Sequence, residues 1–411
     1  MRRVVVTGMG AVTPVGNNVS DMWNAIQNGV CGIDKITHYD IEGRKVSLAG
    51  EVKNFDPEAA VGRGNVRKMD MFTIFAMSAA KEAMEDSSID MEKEDTLRCG
   101  VIFSSGIGGL DTLQKDCERG NAKGFDRVSP HFVPMTISNM AAGNIAIAYG
   151  FHGMCTCVVT ACASATNAIG DAFRQIRDGY LDVCLCGGSE ASATTFGIGG
   201  FTSMHALSTA TDPKRASIPF DKERNGFVMG EGAGALILEE YEHAVARGAK
   251  IYCEVAGYGA TCDANHVTAP LEDGSMAAKS MQMAMEDAKI DAGKIDYINA
   301  HGTSTELNDK GETNAIKLAF GDKAKKVCVS SSKSMTGHLL GASGAVEAII
   351  TALSVRDDVI PPNINYQVPD EACDLNIVAN ESRKQTVDYA LSDSLGFGGH
   401  NASIILKKVG K

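Results

Sequence analysis

The stretch VVTACASATNAIGDAFRQIRDGY (158–180) decides the fold. After Cys162, the residues Ala165, Ile169, Ala172, Phe173 and Ile176 recur at helical spacing, while Asn167, Asp171, Arg174 and Arg177 take the opposite face. An apolar strand over 154–160 therefore gives way to an amphipathic helix over 163–178, with Cys162 at the helix N-terminus. Unpaired backbone N–H groups there favour a thiolate, so the spacing predicts a lowered thiol pKa and reactive sulfur at neutral pH. The same N–H groups can hold the negative oxygen of a tetrahedral intermediate.

Two histidine segments lie far downstream. In YINAHGTST (297–305), His301 follows an apolar strand and opens a hydroxyl-rich loop at a strand's carboxyl end, where α/β proteins place their sites. In SSSKSMTGHLLGASGA (330–345), Lys333 and His338 also follow a strand and lead through a Gly-rich loop into a helix carrying Glu347, Ile349, Ile350 and Leu353. A thiol, two imidazoles and an amine, distant in sequence and each at a strand end, form a coherent nucleophilic constellation.

Working outward, strand-like runs at 3–7, 98–104, 154–160, 183–187, 234–238, 252–258, 297–300, 326–330 and 402–407 alternate with helical patterns at 72–86, 163–178, 241–247, 276–288, 310–320 and 345–355. That alternation predicts an α/β protein with layered sheets. A coarse repeat sharpens it. RRVVVTGMGAVTPVG (2–16) matches IYCEVAGYGATCDANH (251–266) in strand, Gly-x-Gly and loop order. The segment of Cys162 and the helix ending at 178–180 match that of Lys333, His338 and the helix ending at 356–358. Two similar halves, 1–250 and 251–411, are expected to build one site between them.

Composition removes several functions. With 411 residues, 44% of them hydrophobic, the chain can bury a large core. No apolar run approaches the roughly 20 residues of a membrane span, and MRRVVVTGMG reads as a first strand rather than a signal peptide. A net charge of −12 argues against nucleic acid or anionic membrane as partner. Twelve cysteines spread over a chain this long fit a reducing compartment, so the cytoplasm is expected. GMGAVT (8–13) has Thr13 where a dinucleotide fingerprint needs Gly, and SGIGGL (105–110) and GEGAGAL (230–236) lack a Walker lysine and read as close-packed turns. Cys155-x-Cys157 and Cys184-x-Cys186 read as buried strands, with no His or Cys pair at zinc spacing to complete a metal site.

The ordered set TACASA (160–165), DKERNGFVMGEGAG (221–234), HGTST (301–305), SKSMTGHLLGASGA (332–345) and GFGGHN (396–401) resembles the elongating condensing enzymes of fatty-acid synthesis, the β-ketoacyl-acyl-carrier-protein synthases II, over essentially the whole chain. The resemblance implies a thiolase-type α/β fold of two βαβαβ-like halves in α/β/α/β/α layers, as a homodimer. It implies that Cys162 accepts an acyl chain from acyl carrier protein. Malonyl-carrier protein then loses CO₂, and its carbanion attacks the acyl-cysteine to give a β-ketoacyl product two carbons longer. On the same basis His301 and His338 stabilise the enolate, Lys333 with Glu347 and Asp309 supports them, and the N–H groups of Cys162 and Phe397 form the oxyanion hole, Phe397 also acting as a gate.

The resemblance further implies pantetheine contacts from Thr268, Thr303 and Thr305, an acyl tunnel at Ile107 and Phe201, and carrier-protein docking at Arg63, Arg67, Lys68 and Arg127. No cofactor is required, although Asn299, Glu347, Asp393 and Ser394 match a site that holds a structural Na or K ion in some relatives. Leu395 stands where Phe is common and His400 where Thr is common, both flanking the gate, and His205 replaces another base at the docking face. Three alternatives stand beside this reading, two of which differ from it in residues. A coenzyme A thiolase carries a second cysteine near the C-terminus, whereas SLGFGGHNASIIL (394–406) has none and Cys373 lies some twenty residues upstream. A chain-length-factor-like subunit usually lacks the nucleophile, which is present here. A polyketide-type ketosynthase shares the residues and differs in pathway.

Overall fold

The run RRVVVTGMGAV predicts a strand that stops at the first glycine, but the strand continues through it. In the computed structural model, which describes residues 1–410, β1 spans Val4–Val12. Gly8 and Gly10 lie on it because helix α1 (Met71–Ser87) crosses at backbone distance; a Cβ would sit 2.3 Å from Ala83 O at Gly8 and 1.9 Å from Ala79 O at Gly10. The second half repeats this device. There β6 (Cys253–Cys262) carries Gly257 and Gly259 against Ala284 and Ser280 of α4 (Ser275–Asp287). The glycines serve close strand–helix packing and not a turn.

The main sheet contains, in chain order, β1, β2 (Cys99–Ser104), β3 (Cys155–Thr156), β4 (Val183–Glu190), β5 (Gly232–Glu240), β6, β7 (Tyr297–Asn299), β8 (Cys328–Ser330), β9 (Asn376–Ile377), β10 (Tyr389–Gly396) and β11 (His400–Lys407). Their spatial order is β9-β8-β7-β10-β11-β6-β1-β5-β4-β2-β3. Counted within each half, β3-β2-β4-β5-β1 and β8-β7-β10-β11-β6 share one order and one sequence of parallel and antiparallel pairings. Antiparallel pairing of Val4–Val6 with Cys253–Val255 joins the two sets.

Helices α3 (Ser164–Arg177) and α6 (Ser343–Asp357) pack on each other and on both sets of strands, forming the central layer. Outside, α1 and α2 (Met140–Tyr149) cover the first set, and α4 with α5 (Glu306–Phe320) the second. Strand alternation feeds these layers: on β4, Cys184 and Cys186 face the central core, while Val183 and Leu185 face the outer one. Among the described residues no helix is long and apolar enough to cross a membrane, and all twelve cysteines are free thiols.

Several expectations are corrected. The strand expected over 154–160 is only two residues long, and Cys155 is exposed on it rather than buried, because β3 is the sheet edge and the chain leaves it to build the turn of Cys162. GEGAGAL (230–236) mostly belongs to strand β5 rather than a turn, with Gly234 against the backbone of α6. Strand β10 was not anticipated: its buried Ser392, Asp393 and Ser394 hide the apolar pattern of a central strand. The Gly-rich helix at Thr195–Ser203 and the Ala-rich one at Met140–Tyr149 also escaped the periodicity.

Candidate active site

Cys162 occupies a single 3₁₀ turn, Ala161–Ala163, just before α3. Ala161 enters it at φ +51°, a left-handed conformation that costs a non-glycine residue about 1–2 kcal/mol. Ser164 secures the turn, its Oγ accepting from Thr160 N–H at 2.9 Å and donating to Ala161 O at 2.6 Å. The second half builds the same turn at Leu340–Ala342, with Leu340 at φ +48° and Ser343 opening α6. Gly341 there takes the place of Cys162.

Cys162 is 9% exposed, and the Phe397 backbone N–H points at its sulfur. The expected lowering of its pKa is overturned. Burial pushes the thiol up to about 12, outweighing the Lys333 charge and the Phe397 N–H, and Glu190 and Glu347 add to the rise. The resting protein therefore holds a thiol.

Cys162, His301 and His338 line one cavity of about 520 Å³ with Phe201, Phe227 and Phe397. The two imidazoles meet edge to face, ring centroids 5.2 Å apart, and Phe227 packs on His338 in the same manner at 5.3 Å. Nδ1 of His338 accepts the Leu340 N–H at 3.3 Å and contacts Ser343 Oγ at 2.9 Å. Its ring proton therefore sits on Nε2, which is buried and has no partner. On His301, Nδ1 faces Lys333 Nζ at 3.4 Å, a group that only donates when charged, so Nε2 carries the proton here too. Burial and the Lys333 charge hold both imidazoles well below their usual pKa, in the neutral form. The site thus presents two neutral N–H donors.

Lys333 and Glu347, both buried, form an ion pair between the one-turn helix Lys333–Thr336 and α6. Glu312, which the sequence reading missed, receives the N–H groups of His301 and Gly302 at 2.7 Å each and fixes the HGTST loop. Its signal was the buried polar stripe Asn308, Asp309, Glu312 and Thr313 on α5. Asp309 acts one step away, accepting from Phe220 N–H at 2.8 Å and Ser304 N–H at 3.2 Å beside Arg224.

Behind Lys333 lie Asn299 Oδ1, Glu347 Oε2 and both oxygens of Asp393, all buried and unpartnered. Burial pushes Asp393 up to about 7 and Glu312, which faces it, well above the carboxylate range. Two such acids can bond to each other only when one holds a proton. An all-oxygen set of this kind also suits a hard monovalent cation. The Ser394 hydroxyl is paired with Thr166 Oγ1 at 2.8 Å.

Of the other expected residues, Phe201, Thr268, Thr303 and Thr305 line the cavity. Ile107 does not: it is 39% exposed on the loop behind the Cys162 turn, because the backbone of that loop, rather than its side chain, is drawn inward. Leu395 lines the cavity, and the His400 ring lies against Gly398 of the GFGG loop. Arg63, Arg67, Lys68 and Arg127 are exposed and outside the cavity. Cys373 is buried in the outer core of the second half, away from Cys162.

The N-terminal domain of beta-ketoacyl synthases matches residues 1–244, and the C-terminal domain matches residues 252–367. The chain belongs to the beta-ketoacyl synthase family. It is 49% identical over 407 residues to the 3-oxoacyl-[acyl-carrier-protein] synthase 2 of Staphylococcus aureus strain COL, covering 99% of this chain and 98% of that one. It is 48% identical over 408 residues to the enzyme of the same name from Synechocystis, with the same coverage. Among solved structures, a type II polyketide acyl-carrier protein in complex with its ketosynthase, bound to the hexaketide, matches with a TM-score of 0.93 and 36% identity over 100% of both chains. A beta-ketoacyl synthase from Burkholderia phymatum matches at TM-score 0.92 and 34% identity, again over 100% of both. The fold is the thiolase-like ketosynthase fold.

Proposed function

We propose that this beta-ketoacyl synthase is the condensing enzyme of fatty-acid elongation. The observation that carries the reading is the convergence, in one cavity, of Cys162 under the Phe397 N–H and the two Nε2–H donors of His301 and His338. In the first half-reaction the Cys162 sulfur attacks the thioester carbonyl of acyl-carrier protein. The N–H groups of Cys162 and Phe397 hold the oxyanion, and the pantetheine sulfur leaves with the proton. In the second, the bond from the malonyl α-carbon to its carboxylate breaks and CO₂ departs. The electron pair enters an enolate whose oxygen the two imidazole N–H groups hold. The α-carbon then attacks the acyl-cysteine, and Cys162 leaves as thiolate. Lys333 keeps both imidazoles neutral, so that they donate without losing a ring proton. Identity near half to the 3-oxoacyl-[acyl-carrier-protein] synthases 2 named above, against about a third to the polyketide ketosynthase, favours fatty-acid elongation.

Residues 1–250 and 251–411 act as the two halves of this site, in the cytoplasm. A Na or K ion would be held by Asn299, Glu347 and Asp393, supplying positive charge to a buried acidic cluster. The second copy of the chain covers the edge strand β3, where Ile147, Met154 and Val159 are exposed. Sedimentation equilibrium should give about twice 43.3 kDa; a monomer mass would contradict the dimer. The acidic carrier protein docks on Arg63, Arg67, Lys68 and Arg127. Lys68→Glu should raise the KM for carrier-bound substrate several-fold with little change in kcat, and unchanged steady-state kinetics would remove Lys68 from the docking face. The reading as a whole is tested by incubation with medium-chain acyl-carrier protein and malonyl-carrier protein. CO₂ and a β-keto product two carbons longer are expected, and absence of both at every chain length would overturn it.

A further inference from the structure

Glu190 ends strand β4, is fully buried, and takes part in no step above. Its Oε2 accepts the N–H of Gly106 at 2.9 Å and of Gly341 at 3.1 Å; its Oε1 accepts the hydroxyls of Ser192 at 2.9 Å and Ser105 at 3.3 Å. The Ile107 N–H also points at it. Every partner is a donor, the environment that an ionised, acceptor-only carboxylate satisfies. Burial works against these donors and pushes the group up to about 7.

The contact is too close for any side chain on the two glycines. A Cβ on Gly106 would lie 2.8 Å from Glu190 Oε2 and 3.5 Å from Ala161 O, and one on Gly341 would lie 2.2 Å from Gly106 N. Gly341 is the counterpart of Cys162 in the second half and follows His338 by three residues, while Ala161 directly precedes Cys162. One carboxylate therefore ties the loop of Ile107 to the turn that follows His338, elements drawn from both halves of the chain, and the Cys162 turn packs against both, with Ala161 beside Gly106 and the 161–163 turn against the 340–342 turn. This also explains why the Ile107 loop is held by its backbone.

We propose that Glu190 is a positioning residue for acyl transfer, its carboxylate clamping the Gly341 turn to the Ile107 loop, the two elements against which the Cys162 turn packs. The inference rests on the reading of Cys162 as nucleophile. The carboxylate also acts on the sulfur through its charge. The charged and titratable groups that share the site are Lys333, which favours the thiolate, Glu347 and Glu190, which disfavour it, and the neutral His301 and His338.

Glu190→Gln removes the charge and leaves one neutral acceptor oxygen where the carboxylate offers two charged ones, so it weakens the clamp and eases ionisation of the sulfur together. In the full-length protein, kcat for condensation should fall about tenfold to a hundredfold while KM for carrier-bound substrate stays nearly constant. Iodoacetamide alkylation of Cys162, located by peptide mass, should show its pH midpoint lowered by about one unit. General damage to the fold would not make the sulfur more acidic while slowing transfer. Gly106→Ala keeps the charge and forces the clamp apart, so kcat should fall with the alkylation midpoint in place; it also decides the matter if the Gln variant does not fold. Wild-type kcat in either variant, or an unmoved midpoint in Glu190→Gln, would overturn the role of Glu190. Failure of wild-type Cys162 to be alkylated at any pH would instead overturn the nucleophile reading, and the wild-type protein alone reports that.

Discussion

Cys162→Ala should abolish covalent acylation and lower condensation by at least about a thousandfold, the scale seen when a covalent nucleophile is removed. The alanine fits without strain, since the turn is held by Ser164 and by the neighbouring Ala161 rather than by the sulfur. Stability should stay near wild type, and the two imidazole donors remain in place. Decarboxylation of malonyl-carrier protein should therefore persist while chain transfer is lost. Stoichiometric acylation of the variant, or loss of both reactions together, would contradict the division of labour between Cys162 and the histidines. The high pKa of the buried thiol adds a further expectation: in the resting protein alkylation should be slow at neutral pH and rise steeply in alkaline solution.

Lys333→Met should have the second large effect, on stability as well as rate. Lys333 is 1% and Glu347 2% exposed, so removing the ammonium leaves a carboxylate buried without its cation. Breaking such a pair costs about 3–5 kcal/mol, measurable by urea denaturation. The double variant Lys333→Met with Glu347→Gln should recover much of that loss but not the activity. The Lys333 charge also depresses both imidazole pKa values. Without it the rings take up protons at higher pH, so the acid limb of the decarboxylation profile should move upward. An unmoved limb would remove Lys333 from control of the histidines.

The parts legible in the sequence were those governed by local pattern. Helix α3 showed its two faces through Ile169, Phe173 and Ile176, and the motif order brought Cys162, His301 and His338 to one cavity, with Lys333 beside His301. What failed depended on tertiary burial. A helix-start cysteine reads as acidic when only nearby N–H groups are counted, but the packing that desolvates Cys162 comes from segments far along the chain. Gly8 and Gly10 read as a turn because a strand gives no sign of the helix backbone lying against it. Strand β10 was hidden because a site strand buries Ser392, Asp393 and Ser394 where a structural strand would bury valines. Glu312 and Glu190 were passed over for a related reason: a carboxylate that binds backbone N–H groups leaves no motif of its own.

The central claim is that one sulfur, on Cys162, carries the chain between two carrier-bound substrates. Its most direct test is the intact mass of the enzyme after mixing with acyl-carrier protein alone, followed by addition of malonyl-carrier protein. One acyl adduct per chain, mapped to Cys162 and discharged on the second addition as a product two carbons longer, is the expected result. An adduct on another residue, or condensation at full rate with no adduct and with Cys162→Ala, would contradict the account.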